Sequence, residues 1–271
     1  ITSTANAKIK QLVQWQTKAK ERRRDGVFVA EGTKMFLEAP DALIREIYVT
    51  EELIARLKQG KMEKEQLLSN KLERSGYETV TEEVMKKAAD TQTPQGILSV
   101  LDQPRYEAEG ILSPDGLYLI LENLQDPGNL GTMVRTGEGA GITGIIMNKT
   151  TVDLFNPKTI RSTMGSIYRV PYLITEHLPD LLDELHKENI RLYAAHLKGD
   201  TYYDAFDFTG ACGFLIGNEG NGLSDEIAEC ADCYLKIPME GKVESLNAAV
   251  SAALLMYECK RQRGEHNENM V

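Results

Sequence analysis

Glu219 is the single charge in Gly217-Asn218-Glu219-Gly220-Asn221-Gly222, a run that follows the apolar stretch Phe214-Leu215-Ile216 and precedes Ser224. Three glycines in six positions allow backbone shapes that other residues resist. The run therefore reads as a tight loop that brings its amides close to a ligand, with one carboxylate at its centre. Two other stretches have a related form. In "LENLQDPGNLGTMVRT", residues 121–136, a strand ends at Asn123, Asp126-Pro127-Gly128 makes a turn, and Asn129 caps a helix that carries Arg135. In "KIPMEGKVESLNAAVSAALLMYE", residues 236–258, a strand ends at Ile237-Pro238, and Ser245 or Asn247 starts a helix. The apolar face of that helix includes Leu246, Val250, Leu254 and Tyr257. All three loops follow the carboxyl ends of strands, where open parallel sheets hold their ligands. Taken singly, these side chains have plain uses as turn, cap, surface ion pair or loop charge. Their order and spacing together point to chemistry.

Such loops need a sheet to carry them. From residue 116 onward strand and helix alternate: "LYLIL", a helix from about Asn129, "GIIM", a helix near Pro157, "YRVPYLI", "LPDLLDELHKE", "RLYAAHL", "CGFLIG", "SDEIAEC", "YLKIPM", and a helix from about Leu246. Alternation of this kind predicts a mostly parallel sheet covered by helices on both faces. Upstream, "NAKIKQLVQWQTKAKERR" has helical periodicity, "GVFVAEG", "REIYV", "YETV" and "GILSVL" read as strands, and "EELIARLKQ" and "TEEVMKKAA" read as helices. This makes a small α/β unit over 1–102. A Pro-, Gly- and charge-rich stretch without periodicity, 103–115, reads as a linker to a second domain over 116–271.

Composition excludes several classes. With 271 residues, 42% of them hydrophobic, the chain can build one large core or two ordinary ones. It has no apolar run of about 18 residues, its first residues lack the apolar stretch of a signal peptide, and its four cysteines are too few for a disulfide scaffold. A reducing cytoplasm is the expected home. The net charge of −10 argues against a wholesale polyanion binder. Yet residues 1–34 hold eight Lys or Arg against three acidic residues, a basic arm on an acidic body that suits local nucleic-acid binding. Lys20, Arg22, Arg23 and Arg24 are its densest part.

Two motifs mislead. Gly139-Ala140-Gly141-Ile142-Thr143-Gly144 matches a dinucleotide fingerprint, but it follows a helix and opens a strand, the reverse of the required order. Cys230-Ala231-Asp232-Cys233 has no second pair to complete a zinc site, and its thiols are expected to be buried and inert. The four histidines show no ligand spacing, so no metal is expected.

The three loops taken in order, Asn-x-x-Asp-Pro-x-Asn-x-Gly-x-x-x-Arg-Thr, Gly-Asn-Glu-Gly-x-Gly, and Ile-Pro-Met followed by Ser-Leu-Asn, resemble the SpoU (TrmH-type) family of RNA ribose 2′-O-methyltransferases. "RRRDGVFVAEG" and "TPQGILSVL" resemble the substrate-binding domain that many members carry. The resemblance implies S-adenosylmethionine as methyl donor, an RNA ribose 2′-hydroxyl as acceptor, a C-terminal trefoil knot, and a homodimer with active sites near the subunit interface. It implies catalytic or RNA-positioning roles for Asn123, Arg135, Glu219, Ser245 and Asn247, and backbone contacts to the cofactor from Gly217, Ile237 and Leu246. One departure stands out. Gly137-Glu138-Gly139 replaces the family's Ala-rich sequence after Arg135, and Gly disfavours a helix interior by about 1 kcal/mol, so an early helix end is expected there.

The chemistry suits these residues. A ribose hydroxyl needs its proton removed, and alignment with a sulfonium methyl supplies much of the rate. A guanidinium is not deprotonated in proteins. The resemblance implies that Arg135 activates the hydroxyl; the alternative that its chemistry suggests is that it clamps a neighbouring phosphate through two donors, while phosphate, Glu219 or water takes the proton. The added domain implies ribosomal RNA as substrate. A transfer-RNA methyltransferase, and a non-enzymatic RNA-binding protein that retains the fold, are the alternative readings, which methyl transfer to fractionated RNA separates.

Overall fold

The structure is a computed structural model that describes residues 1–268, with side chains through residue 264. In chain order the elements are α1 (Ala7–Thr17), α2 (Ala19–Asp25), β1 (Val27–Glu31), α3 (Thr33–Glu38), β2 (Ile44–Thr50), α4 (Glu51–Gln59), α5 (Glu63–Ser75), β3 (Glu78–Val80), α6 (Glu82–Ala88), β4 (Ile97–Asp102), α7 (Ala108–Ile111), β5 (Leu117–Leu121), α8 (Pro127–Ala140), β6 (Gly144–Asn148), α9 (Pro157–Thr163), β7 (Tyr172–Thr175), α10 (Leu178–Lys187), β8 (Arg191–Ala195), β9 (Thr201–Tyr202), β10 (Cys212–Ile216), α11 (Asp225–Glu229), β11 (Cys233–Lys236) and α12 (Ala248–Glu268).

These elements form two compact units. One holds residues 1–105 together with 153–168, the other 106–152 together with residue 169 onward. This division differs from a cut at 116. Residues 103–105 go with the first unit, whereas α7 buries Ile111 in the core of the second. Leu154, Phe155, Ile160 and Ile167 of the 153–168 segment are buried, with the Phe155 ring 4.9 Å from that of Phe28.

In the first unit a mixed sheet has the order β1-β4-β2-β3, antiparallel except between β2 and β3. One face packs Ile9, Leu12 and Trp15 of α1 on Val27, Val29, Leu98 and Val100; the other packs α4 and α5 through Leu53, Leu57, Leu68 and Leu72. The N-terminal periodic stretch is two helices rather than one. Lys18 adopts extended backbone at φ −123°, and the Thr17 hydroxyl donates back to the Val13 carbonyl at 2.7 Å, so α1 stops there and α2 restarts at an angle that puts Arg22 inside the unit.

The second unit is a seven-stranded sheet of order β7-β6-β5-β10-β8-β11-β9 with every pairing parallel, as the strand–helix alternation predicts. Side chains alternate across a strand. Tyr118 and Ile120 of β5 join Leu178, Leu182 and Leu185 of α10 and Ile227 of α11 on one face, and Leu117, Leu119 and Leu121 point to the other. Leu255, Met256 and Cys259 of α12 are buried, whereas Val250, Leu254 and Tyr257 are 48%, 36% and 48% exposed. The face read from the sequence as this helix's apolar face therefore looks outward, and the opposite stripe enters the core. A helix apolar on both sides hides its inward side until packing chooses one.

α8 begins at Pro127, one of the favoured first positions of a helix, and its N-cap is Asp126, whose side chain accepts the Asn129 N–H at 2.8 Å. Asn129 is thus inside the helix and free for other work. The expected early end does not occur, because α8 runs through Ala140 and stops at Gly141, which has φ +83°. Gly137 has a steric reason, whereas Gly139 meets only the end of a half-exposed side chain. A Cβ at Gly137 would lie 2.9 Å from Ile142 Cγ2, and one at Gly139 would lie 2.9 Å from Tyr257 Oη.

Candidate active site

Three strands of the second unit deliver the three loops. β5 and β10 are neighbours, and β8 separates β10 from β11. The loops after β5, β10 and β11 thus open on the same carboxyl edge. A fourth, residues 196–200 after β8, lies between the last two by strand order. Its Leu197 is 67% exposed, and a Cβ at Gly199 would come within 3.1 Å of the His196 carbonyl oxygen and the Leu235 carbonyl carbon. Sequence reading missed this loop because His196-Leu197-Lys198-Gly199-Asp200 matches no motif.

The Gly-rich loop folds back on itself. Asn218 N–H and C=O pair with Gly222 at 3.0 and 2.9 Å. A Cβ on Gly217 would overlap the Gly222 carbonyl carbon at 2.1 Å, and Gly222 has φ +71°, so this closure requires glycine at both positions. Asn218 then ties the loop to its neighbour. Its amide donates to the Asn123 carbonyl at 2.8 Å, while its Oδ1 accepts the N–H groups of Gly220 and Asn221. Deeper down, Glu122 is 5% exposed. Its carboxylate accepts the Ser224 N–H at 2.8 Å and the Ser224 hydroxyl at 2.6 Å, and that hydroxyl caps α11. Glu122 is a buried anchor that its position at a strand end did not distinguish.

Glu219 reaches across to the first loop. Its carboxylate accepts the N–H groups of Gln125 and Asp126, both at 3.0 Å, and the Asn129 amide at 3.1 Å. Desolvation is the largest single influence on this carboxyl and opposes its ionisation. The hydrogen bonds from Gln125, Asp126 and Asn129 together outweigh it and hold the carboxyl below the usual glutamate range. Asn129 continues the chain of contacts. Its Oδ1 accepts the Asn247 amide at 3.0 Å, and Asn247 Oδ1 caps α12 by accepting the Ala249 N–H at 2.9 Å. Both ends of this relay have fixed polarity, a carboxylate at one and a backbone donor at the other, so each amide orientation follows.

The structure thus brings together Asn123, Glu219 and Asn247 of the expected set and adds Asn129 and Asn218, which join them. Arg135 lies six residues beyond Asn129 on α8, is exposed, and makes no hydrogen bond or ion pair among the described residues. Ser245 is exposed, and Ile237 and Leu246 are half-buried. None of the backbone groups of 238–246 is hydrogen-bonded among the described residues. Gly217 is buried at the base of its loop.

In the first unit the basic arm divides. Lys20 and Arg23 are exposed. Arg24 is exposed and paired with Glu21 and Asp25; its hydrogen bonds to Asp25 lead the effects that hold that carboxyl down at about 2. Arg22 is a correction to the expected RNA-binding set. It is 3% exposed, donates through Nη1 to the Trp15 and Gln16 carbonyls at 2.6 and 3.1 Å, and grips Asp153 through Nε at 3.1 Å. Six consecutive charged residues, 20–25, fill this short helix, and Arg22 is the one on the side that faces the Trp15 and Gln16 carbonyls and Asp153.

The two cysteines of the Cys-x-x-Cys are half-buried rather than buried, with Cys230 Sγ donating to the Glu226 carbonyl at 3.3 Å. Among the described residues no group of three or more His, Cys, Asp or Glu is placed to hold a metal ion.

The fold and the loop cluster define a methyltransferase. The chain superposes on the SpoU methyltransferase AviRb from Streptomyces viridochromogenes in complex with AdoMet with a TM-score of 0.82, at 26% identity over 95% of this chain and 98% of that one. It superposes on the AdoMet-bound rRNA methyltransferase from Sinorhizobium meliloti with a TM-score of 0.80, at 28% identity over 96% and 97%. Among curated proteins, the chain is 33% identical to the 23S rRNA (guanosine(2553)-2′-O)-methyltransferase RlmP of Bacillus subtilis (strain 168), over 96% of this chain and 98% of that one. Residues 116–257 match the SpoU rRNA methylase family and residues 6–99 the MRM3-like substrate-binding domain. The chain belongs to the SpoU rRNA methylase family.

Proposed function

We propose that this chain methylates a ribose 2′-hydroxyl of ribosomal RNA, working in the cytoplasm as a homodimer. The observation that carries the reading is the relay Glu219–Asn129–Asn247, which ties three strand-end loops into one cleft in a chain of this family. S-adenosylmethionine supplies an electrophilic methyl group on a sulfonium. The residues present fit that cofactor: the 238–246 backbone offers donors and acceptors that the chain does not use itself, beside the apolar side chains of Ile237 and Leu246. Gly217, Ile237 and Leu246 are the positions that would hold it.

Arg135 is exposed and free to bind a phosphate through its two-donor fork and so orient the adjacent hydroxyl. Glu219 is a poor proton acceptor, because both of its oxygens already accept hydrogen bonds and its carboxyl lies below the ordinary range. Its work is to shape the first loop, and the proton passes to phosphate or water. Ser245 and Asn247 flank the cleft at the start of α12.

The homodimer reading rests on α12. Val250, Leu254 and Tyr257 form one exposed apolar stripe. Tyr257 lies against Gly139, and Lys260 donates to the Gly139 carbonyl at 2.7 Å. Gly139 is one helical turn from Arg135, so a second copy seated on the stripe would bring the interface beside the active site. A trefoil knot in the C-terminal part, as the family resemblance implies, belongs to the same reading.

The test is methyl transfer from labelled S-adenosylmethionine to ribosomal and transfer RNA in parallel. Label in a 2′-O-methylated nucleotide of ribosomal RNA supports the proposal. Label in transfer RNA alone reassigns the substrate, and no label in either overturns the reading.

A further inference from the structure

Asn123 has φ +55°, a left-handed conformation that Asn tolerates better than most residues, and nearly every polar group it owns is engaged. Its N–H donates to Asn148 Oδ1 at 3.0 Å. Its carbonyl accepts the Asn218 amide at 2.8 Å and the Gln125 amide at 3.0 Å. Its Oδ1 accepts the Asn148 amide at 3.0 Å and the Thr150 hydroxyl. Only Nδ2 makes no hydrogen bond among the described residues.

The polarity of this arrangement follows from chemistry rather than from assignment of similar atoms. A backbone N–H can only donate, so the Asn148 atom facing Asn123 N is an oxygen. The other end of the Asn148 carboxamide is then NH2, which can only donate. The Asn123 atom facing it is therefore an oxygen, and the two Nδ2 protons of Asn123 point away from Asn148.

We propose that Asn148 is a positioning residue that fixes Asn123 as a hydrogen-bond donor toward an oxygen of the RNA backbone beside the target ribose. This rests on the RNA methyltransferase reading above. Asn123 then cannot take the hydroxyl proton. It holds an acceptor oxygen, as an amide donor suits a phosphodiester or ribose oxygen. Asn148 lies at the end of β6, 25 residues from Asn123 in sequence, outside all three loop motifs.

The test compares Asn148→Asp with Asn148→Ala and Asn123→Asp. An aspartate at 148 still accepts the Asn123 N–H but presents a second acceptor to Asn123 Oδ1, so the Asn123 carboxamide turns over and sends its oxygen into the cleft. Asn148→Asp is expected to lower kcat/KM for RNA by about 10- to 100-fold, the loss for a missing bond to a charged group, with the cofactor Kd unchanged. It should be worse than Asn148→Ala, although Asp is the closer shape. A purely structural role predicts the opposite order, since alanine leaves a gap. Effects of Asn148→Asp and Asn123→Asp should not multiply in the double variant. Ala worse than Asp, or a changed cofactor Kd with RNA kinetics intact, would overturn the proposal. Side-chain amide exchange in the unmodified full chain, read by NMR without RNA, supplies an arm independent of activity and of variant folding. Slow exchange at Asn148 with fast exchange at Asn123 is expected, and the reverse refutes the polarity. Absence of any methyl transfer by the unmodified protein would instead remove the functional reading and leave the amide result standing.

Discussion

Asn129 Nδ2 lies 3.1 Å from Glu219 Oε1, while its Oδ1 receives the Asn247 amide at 3.0 Å. One side chain on the first turn of α8 thus joins loops separated by 90 and 118 residues. Asn129→Ala should release both contacts at once. The fold should survive, since Asp126 supplies the helix cap. Turnover is expected to fall by at least ~10-fold, from loss of loop alignment. Single-turnover methyl transfer alongside thermal unfolding distinguishes this from a stability effect.

Glu219 gives a pH prediction. Its folded-state pKa is depressed, with desolvation outweighed by the hydrogen bonds from Gln125, Asp126 and Asn129. Stabilisation by a depressed carboxyl is present above its unfolded pKa and is lost as pH falls through the folded one. Loop order should therefore hold throughout neutral pH and decline only in acid below the ordinary glutamate range. The pH profile of kcat should show no group titrating near neutrality that vanishes in Glu219→Gln. Disappearance of such a limb would make Glu219 the proton acceptor.

Arg135→Ala should leave the Tm within about 2 °C of the parent, because an exposed side chain without partners contributes little to stability. Turnover should drop by at least ~10²-fold, the scale for a lost transition-state contact. Arg135→Lys keeps the charge without the planar fork. If two-donor clamping is the role, Lys restores little of the rate.

Within the basic arm two outcomes should separate. Arg22→Ala leaves Asp153 and two carbonyls without their donor, and breaking a buried pair costs about 3–5 kcal/mol; urea unfolding would show it. Lys20→Ala and Arg23→Ala should leave stability unchanged and each lower the salt slope of RNA binding by about 1. Equal destabilisation by all three would remove the distinction.

The exposed stripe on α12 makes Leu254→Asp diagnostic. Sedimentation should show a shift from dimer to monomer at micromolar concentration, with methyl transfer falling in parallel. A monomeric parent protein would remove the dimer from the proposal.

The strand–helix alternation, the parallel sheet, the three loops and their candidate residues were legible in the sequence. Each depends on local spacing, on turn chemistry at Asp126-Pro127-Gly128 and Gly217–Gly222, or on motif order. Contacts across long separations were not. Arg22, Arg23 and Arg24 look alike in one dimension, and only the break at Lys18 turns Arg22 inward to Asp153. Both stripes of α12 are apolar, so which one is buried is chosen by the sheet beneath it. Gly137 disfavours a helix on its own, yet the close approach of Ile142 favours a residue without a side chain there. Asn148 and Glu122 carry no signal in any motif, because a strand-end amide or carboxylate acquires its role from the loop it faces. The sequence by itself determined which residues could do the chemistry. Tertiary structure decided which of them are held, which way their amides point, and which remain free to meet a ligand, because hydrogen bonds between distant loops exist only after the sheet has set their ends side by side.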